Sequence, residues 1–254
     1  DARARWQGEG VVPRARPRVG AFAPVRRERT WIPWLVIALA TVLGGGARMA
    51  TADWGLPYAL HVDEKGFVVH EALAAEYRGL RTGDFRPYST AYGPLVFQLV
   101  IATKWAVFGG RDEARRLALR YESEGDYLRH AVQAKTTPSS ITLPDLLYAL
   151  RLLAGLLGAL TILLLGLTAA RLETPRAGAF AATLAAASVG LFQVGHFFTA
   201  ESVLVFALAL FLHACAALAT RRASVTSVLE AGVAIALIAA SKGPGLVCLV
   251  ALPA

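Results

Sequence analysis

Adjacent carboxylates, Asp63 and Glu64 in the stretch Tyr58-Ala-Leu-His-Val-Asp-Glu-Lys, follow the first apolar run of membrane-crossing length. A carboxylate held just outside a hydrophobic helix can serve a membrane-embedded enzyme as a base, taking the proton of a hydroxyl brought to it. Asp63 can equally cap the short amphipathic helix that Phe67-Val-Val-His70, Ala72 to Ala75 and Tyr77 predict, because a helix start favours negative charge. Glu201 separates two apolar runs at a hairpin, with His196 five residues before it. Ionisable residues beside membrane spans are costly and tend to be functional or paired. Lys242 lies in Ser241-Lys-Gly-Pro-Gly245, where the glycines permit close backbone approach and a cation can meet a lipid phosphate. Arg151, near the start of another apolar run, can pair with an acid of the loop or bind an anionic head group. Tyr92 ends a turn-rich segment that begins at Gly79 and directly precedes Gly93-Pro94.

The elements that must position these groups follow from composition. With 56% hydrophobic and 17% charged residues and a mean hydropathy of +0.49, the chain is too apolar for an ordinary soluble domain. An all-α, polytopic transmembrane protein is expected, with spans at about 31–49, 146–170, 177–195, 202–220 and 225–241, and a further one begun at 246–254. That last run stops as it starts, so the chain is expected to be an N-terminal fragment. Tyr92 to Gly109 carries Lys104 and is opened by Gly93-Pro94, so it can span or lie in the interface.

Charge decides between those arrangements. Residues 1–30 hold eight arginines against Asp1, Glu9 and Glu28, which keeps this arm in the cytoplasm. With 92–109 in the interface, Arg171/Arg176 and Arg221/Arg222 also fall inside, as the positive-inside rule requires. The outer face then collects the long loop 50–144, the turn His196 to Glu201, and the turn around Lys242. Residues 110–140, dense in charge, read as a solvated helical excursion with no site. The proline-bearing arm reads as a disordered topology determinant able to touch anionic lipids. It supplies five of the eight units of net positive charge, and no basic surface interleaved with aromatics points to nucleic acid. Cys215 and Cys248 sit in apolar runs without metal-binding or disulfide spacing.

Taken in order, the acidic pair, Tyr92-Gly-Pro-Leu, Tyr148-Ala-Leu-Arg-Leu-Leu-Ala-Gly, the run from Ala177 ending in His196 to Glu201, and Ala240-Ser-Lys-Gly-Pro-Gly resemble the GT-C membrane glycosyltransferases, on the protein O-mannosyltransferase and aminoarabinose-transferase branch. The resemblance runs from about Trp31 onward and rests on order and spacing. It implies a sugar donor on a polyprenyl phosphate or diphosphate, inverting transfer to a hydroxyl of a protein, lipid or glycan, and a site on the outer face of a bacterial inner membrane. Asp63 would be the catalytic base with Glu64 beside it, and Lys242, helped by Arg151, would hold the donor phosphate. His196, Glu201 and Tyr92 would support the site. No cofactor is required, although Asp63 and Glu201 together could take a divalent cation. Relatives more often carry aspartate where Glu201 stands, and the connection 110–140 is longer than theirs. The rival readings are a transporter or lipid-handling protein that uses the outer acids to bind a substrate or cation, and a catalytically silent subunit.

Overall fold

The structure is a computed structural model that describes residues 31–56, 58, 61, 63–89, 92–107, 110–133, 142–220 and 224–242. The arm 1–30, Arg221 and Arg222, Gly243 and Gly245, Cys248 and the run 246–254 lie outside the described residues. All regular structure among the described residues is helical, in ten α-helices. They are α1 (Ile32–Ala50), α2 (His70–Thr82), α3 (Pro94–Val107), α4 (Gly110–Arg120), α5 (Glu124–Gln133), α6 (Leu143–Leu172), α7 (Pro175–Ala187), α8 (Val189–Val194), α9 (Ala200–Thr220) and α10 (Val225–Ser241), and a π-helical turn, Asp63–Val69, leads into α2.

Helices α1, α6 and α9 are long and apolar enough to cross a membrane, so the chain is an integral membrane protein by length and composition. Their ends are written in the sequence. Thr142 and Asp145 form a reciprocal capping box at the start of α6, and Thr174 caps α7 ahead of Pro175. Ser224 likewise accepts from the Ser227 amide at 3.2 Å to open α10.

The stretch 177–195 departs from the single span expected. Its helix stops at Ala187, Ser188 turns to φ −66°, ψ 118°, and its hydroxyl caps the short α8 through the Leu191 amide at 3.3 Å. Serine competes for backbone groups inside a helix, which is why the break falls on it. Helix α3, at 14 residues, reaches only about 21 Å at 1.5 Å per residue, short of a hydrocarbon core of about 30 Å.

Two seams hold the bundle. Along α1, α6 and α7, small residues bring backbones together: a Cβ on Gly45 would lie 2.5 Å from the Ala159 Cβ. A second core joins the outer-loop helices to the long ones, with Val96, Phe97, Val100 and Ile101 of α3 against Leu73 of α2, Leu146, Leu147 and Leu150 of α6, and Val203 of α9. The charged segment 110–133 is less solvated than its composition suggests. Ala114, Ala118 and Tyr127 are buried against Tyr77 and Leu80 of α2. Beneath them Glu76 accepts from Lys104 Nζ at 2.5 Å, Tyr127 Oη at 2.7 Å and Trp105 Nε1 at 2.6 Å, fixing α2, α3 and α5 around one buried carboxylate. Lys104, the charge in the stretch that could span or lie in the interface, is thus a buried cation with its own counter-ion.

Candidate functional site

Asp63 and Glu64 open the π-helical turn, and consecutive residues of a helical turn face different ways. Asp63 is exposed; Glu64 is fully buried. The Glu64 carboxylate accepts from Arg151 Nε at 3.0 and 3.1 Å, from Arg151 Nη2 at 2.7 Å, and from the Phe198 amide at 3.1 Å. Arg151, also fully buried, spends its remaining nitrogen on the carbonyls of Ala52 at 3.1 Å and Trp54 at 2.7 Å. The guanidinium expected at a donor phosphate is therefore committed to Glu64 and the backbone. What the pair does is structural: it ties the end of α1, the start of α2, the body of α6 and the turn before α9 into one joint. Removing one partner of a fully buried, hydrogen-bonded pair costs about 3–5 kcal/mol.

Asp63 faces the other set. The Tyr92 hydroxyl lies within electrostatic reach of Asp63, and its ring stands edge-on to Phe67 at 4.9 Å. Lys242 Nζ lies 5.2 Å from the centre of the same ring and 2.5 Å from Glu201 Oε1. Tyr92 is brought there by Gly93, whose amide donates to the Ser241 carbonyl at 2.9 Å. A Cβ on Gly93 would lie 2.0 Å from the Ala240 carbonyl oxygen, so only glycine lets the start of α3 seat on the end of α10. Burial, with the charges of Glu201 and Asp63, raises the Tyr92 phenol above its ordinary value. The hydrogen bond to Glu201 raises Lys242, keeping it a cation. Four of the residues singled out in the sequence, Asp63, Tyr92, Glu201 and Lys242, thus form one cluster drawn from four separate segments.

His196 does not join them. It is 5% exposed, with Nδ1 3.2 Å from Thr51 Oγ1 and its ring against Trp54, Phe192 and Phe197. Burial, and after it the nearby Arg151 charge, lowers its pKa, so the imidazole is neutral near pH 7. Its place is in an aromatic layer on the α1 side of the Glu64–Arg151 joint, where Phe197 lies under the Arg151 guanidinium at 5.1 Å.

Among the described residues no three His, Cys, Asp or Glu side chains converge as a metal site, and Asp63 and Glu201 lack a third carboxylate or imidazole to complete one. Sequence reasoning passed over Arg48, in the last turn of α1, which is completely buried. Its signal was available: it is the first charge after an otherwise uncharged apolar run. Gly93 was noted as a turn former and not as the contact that makes the cluster. Comparison with protein-family models, curated proteins and solved structures gave no match to this chain.

Proposed function

We propose that this chain is a membrane glycosyltransferase of GT-C type that moves a sugar from a polyprenyl-phosphate donor to an acceptor hydroxyl at the outer face of the membrane, with inversion. The observation that carries this reading is that Tyr92 stands beside both an exposed carboxylate, Asp63, and a lysine, Lys242, the latter at the end of the apolar helix α10. Such a pair supplies the two things the reaction needs. Asp63 takes the proton of the acceptor hydroxyl as its oxygen forms a bond to the anomeric carbon. The bond from that carbon to the phosphate oxygen breaks in the same step, and the electron pair leaves with the phosphate, whose charge Lys242 offsets. One displacement inverts the anomeric centre.

Two details shape the proposal. Lys242 is held by Glu201, so a donor phosphate must compete with that carboxylate for Nζ, and Glu201 sets how tightly the donor is bound. Tyr92, with Lys242 Nζ 5.2 Å from its ring centre and Asp63 near its hydroxyl, stands between the base and the cation. Arg151 supports the site from beneath by orienting Glu64 and hence the turn that carries Asp63. Protein, lipid and glycan hydroxyls all remain within the acceptor class.

The test is transfer from a panel of radiolabelled polyprenyl-phosphate sugars by membranes containing the full chain, beside an Asp63→Asn variant. Loss of about 100-fold or more in the variant is expected for removal of a general base. Unchanged transfer in Asp63→Asn removes it from catalysis, and absence of transfer from every donor overturns the assignment.

A further inference from the structure

Of the exposed aromatic rings among the described residues, Trp31, Trp34, Tyr148 and Phe180 cap or belong to apolar helices and Trp54 and Tyr58 follow the end of α1, where lipid and its interface account for them. Tyr88 has no such setting. It is 61% exposed in the connection between α2 and α3, among charged side chains.

That connection is anchored along its length. Gly83, at φ 83°, ends α2 and turns the chain. The Phe85 ring then seats on Gly79, where a Cβ would lie 2.2 Å from its Cδ1, and the Phe85 carbonyl accepts from Gln98 Nε2 at 3.1 Å. Glu71 accepts from the amides of Tyr88 at 3.2 Å and Ser89 at 3.3 Å. The ring is fixed as well. Arg78 donates to the Arg86 carbonyl at 2.7 Å and lays its guanidinium 3.5 Å from the centre of the Tyr88 ring, covering one face. The Tyr88 hydroxyl donates to Glu124 Oε2 of α5 at 3.3 Å. The exposure of the residue therefore falls on the opposite face and the edges. A ring already ordered in the free protein loses little further freedom when a ligand covers it, which favours binding.

We infer that Tyr88 is a stacking platform for a pyranose ring, and that this ring belongs to a glycan acceptor. The C–H groups on one face of a pyranose are apolar and weakly positive, and pack on the negative face of an aromatic ring. Its hydroxyls need polar partners beside that face, which the Glu71 and Glu124 carboxylates and the edge of the Arg78 guanidinium supply. Seating Tyr88 in lipid instead would carry those three charged side chains toward hydrocarbon. The choice of a glycan acceptor rests on the transferase reading above: the donor's own sugar must lie at Asp63 and Lys242. No hydrogen bond, ion pair or ring contact joins Tyr88 to either of them among the described residues. Tyr88 is nonetheless four residues from Tyr92, so the two Cα atoms are at most about 14 Å apart, within the span of a short oligosaccharide.

Binding of the full chain in detergent to an array of immobilised hexose and hexosamine oligosaccharides, with no donor present, tests this apart from transfer. The unaltered chain is expected to bind at least one of them. Tyr88→Trp, which keeps a ring, should hold that binding within about 3-fold, and Tyr88→Ala should weaken it by about 10-fold or more. A melting curve for each variant shows that it is folded. No oligosaccharide bound by the unaltered chain, or equal binding by folded Tyr88→Ala, overturns the platform. Ring-dependent binding without transfer from any donor overturns the transferase reading and leaves the sugar platform standing; transfer to a peptide or lipid with no oligosaccharide bound does the reverse.

Discussion

Asp63 and Glu64 are adjacent in sequence and opposite in consequence. Asp63→Asn changes an exposed side chain and is expected to alter stability by less than about 0.5 kcal/mol. Glu64→Gln leaves the Arg151 charge buried without its counter-ion, at about 3–5 kcal/mol, or roughly 10 °C in melting temperature for a chain of this size. The double variant Glu64→Leu with Arg151→Met should recover most of that loss, because it removes both charges at once; a melting series over the four proteins checks it. A second residue-level expectation concerns Tyr127, fully buried against Glu76. Burial, then the Glu76 charge, raises its phenol far above the ordinary value. An unfolded tyrosine ionises near pH 10 and the buried one does not, so this contribution to stability is intact below about pH 10 and declines as pH rises beyond it. Denaturation midpoints between about pH 9 and about pH 11 should fall more for the unaltered chain than for Tyr127→Phe. The groups of the candidate site were legible as residue types, since Asp63, Tyr92, Glu201 and Lys242 stand out beside apolar runs. That Arg151 pairs with an acid of the loop was one of the two readings the sequence left open; which acid was not legible, because Glu64 and Arg151 are 87 residues apart.

At the scale of elements, the contact that matters most to the site is the seating of α3 on α10. Gly93→Ala would push the Ala240 carbonyl away, separating Tyr92 from Lys242. It is expected to raise the donor KM while leaving α1 and α6 intact, and steady-state kinetics beside a melting curve distinguishes this from general unfolding. The helix starts carry chemical signals, Thr142, Thr174 and Ser224, that a reading by apolar runs did not use. The division of α7 from α8 was harder to see, since Ser188 is one polar residue inside an unbroken apolar run and hydropathy does not register a cap. The burial of one face of α4 and α5 was hidden for a related reason: alanines and a tyrosine make that face, and the surrounding charges dominate any average over the segment.

For the whole molecule, the expected arrangement puts α4 outside and the α6–α7 turn inside. With Cys215 and Cys248 first replaced by alanine, a cysteine at Arg115 should react with a membrane-impermeant maleimide in intact cells. One at Glu173 should react only after the membrane is opened; the reverse pattern inverts the topology. That the chain is helical and built for a membrane was legible from composition alone. How many helices cross was not, because α3 and α10 are apolar yet short, and length as well as hydropathy decides a crossing. The joint described above also has a history in time. Asp63 leaves the ribosome early, but its neighbour Glu64 waits for Arg151 and then for Phe198, and the cluster itself waits for Glu201 and Lys242. A nascent chain therefore carries Asp63 without the rest of its cluster until α10 has been made and synthesis has passed its end.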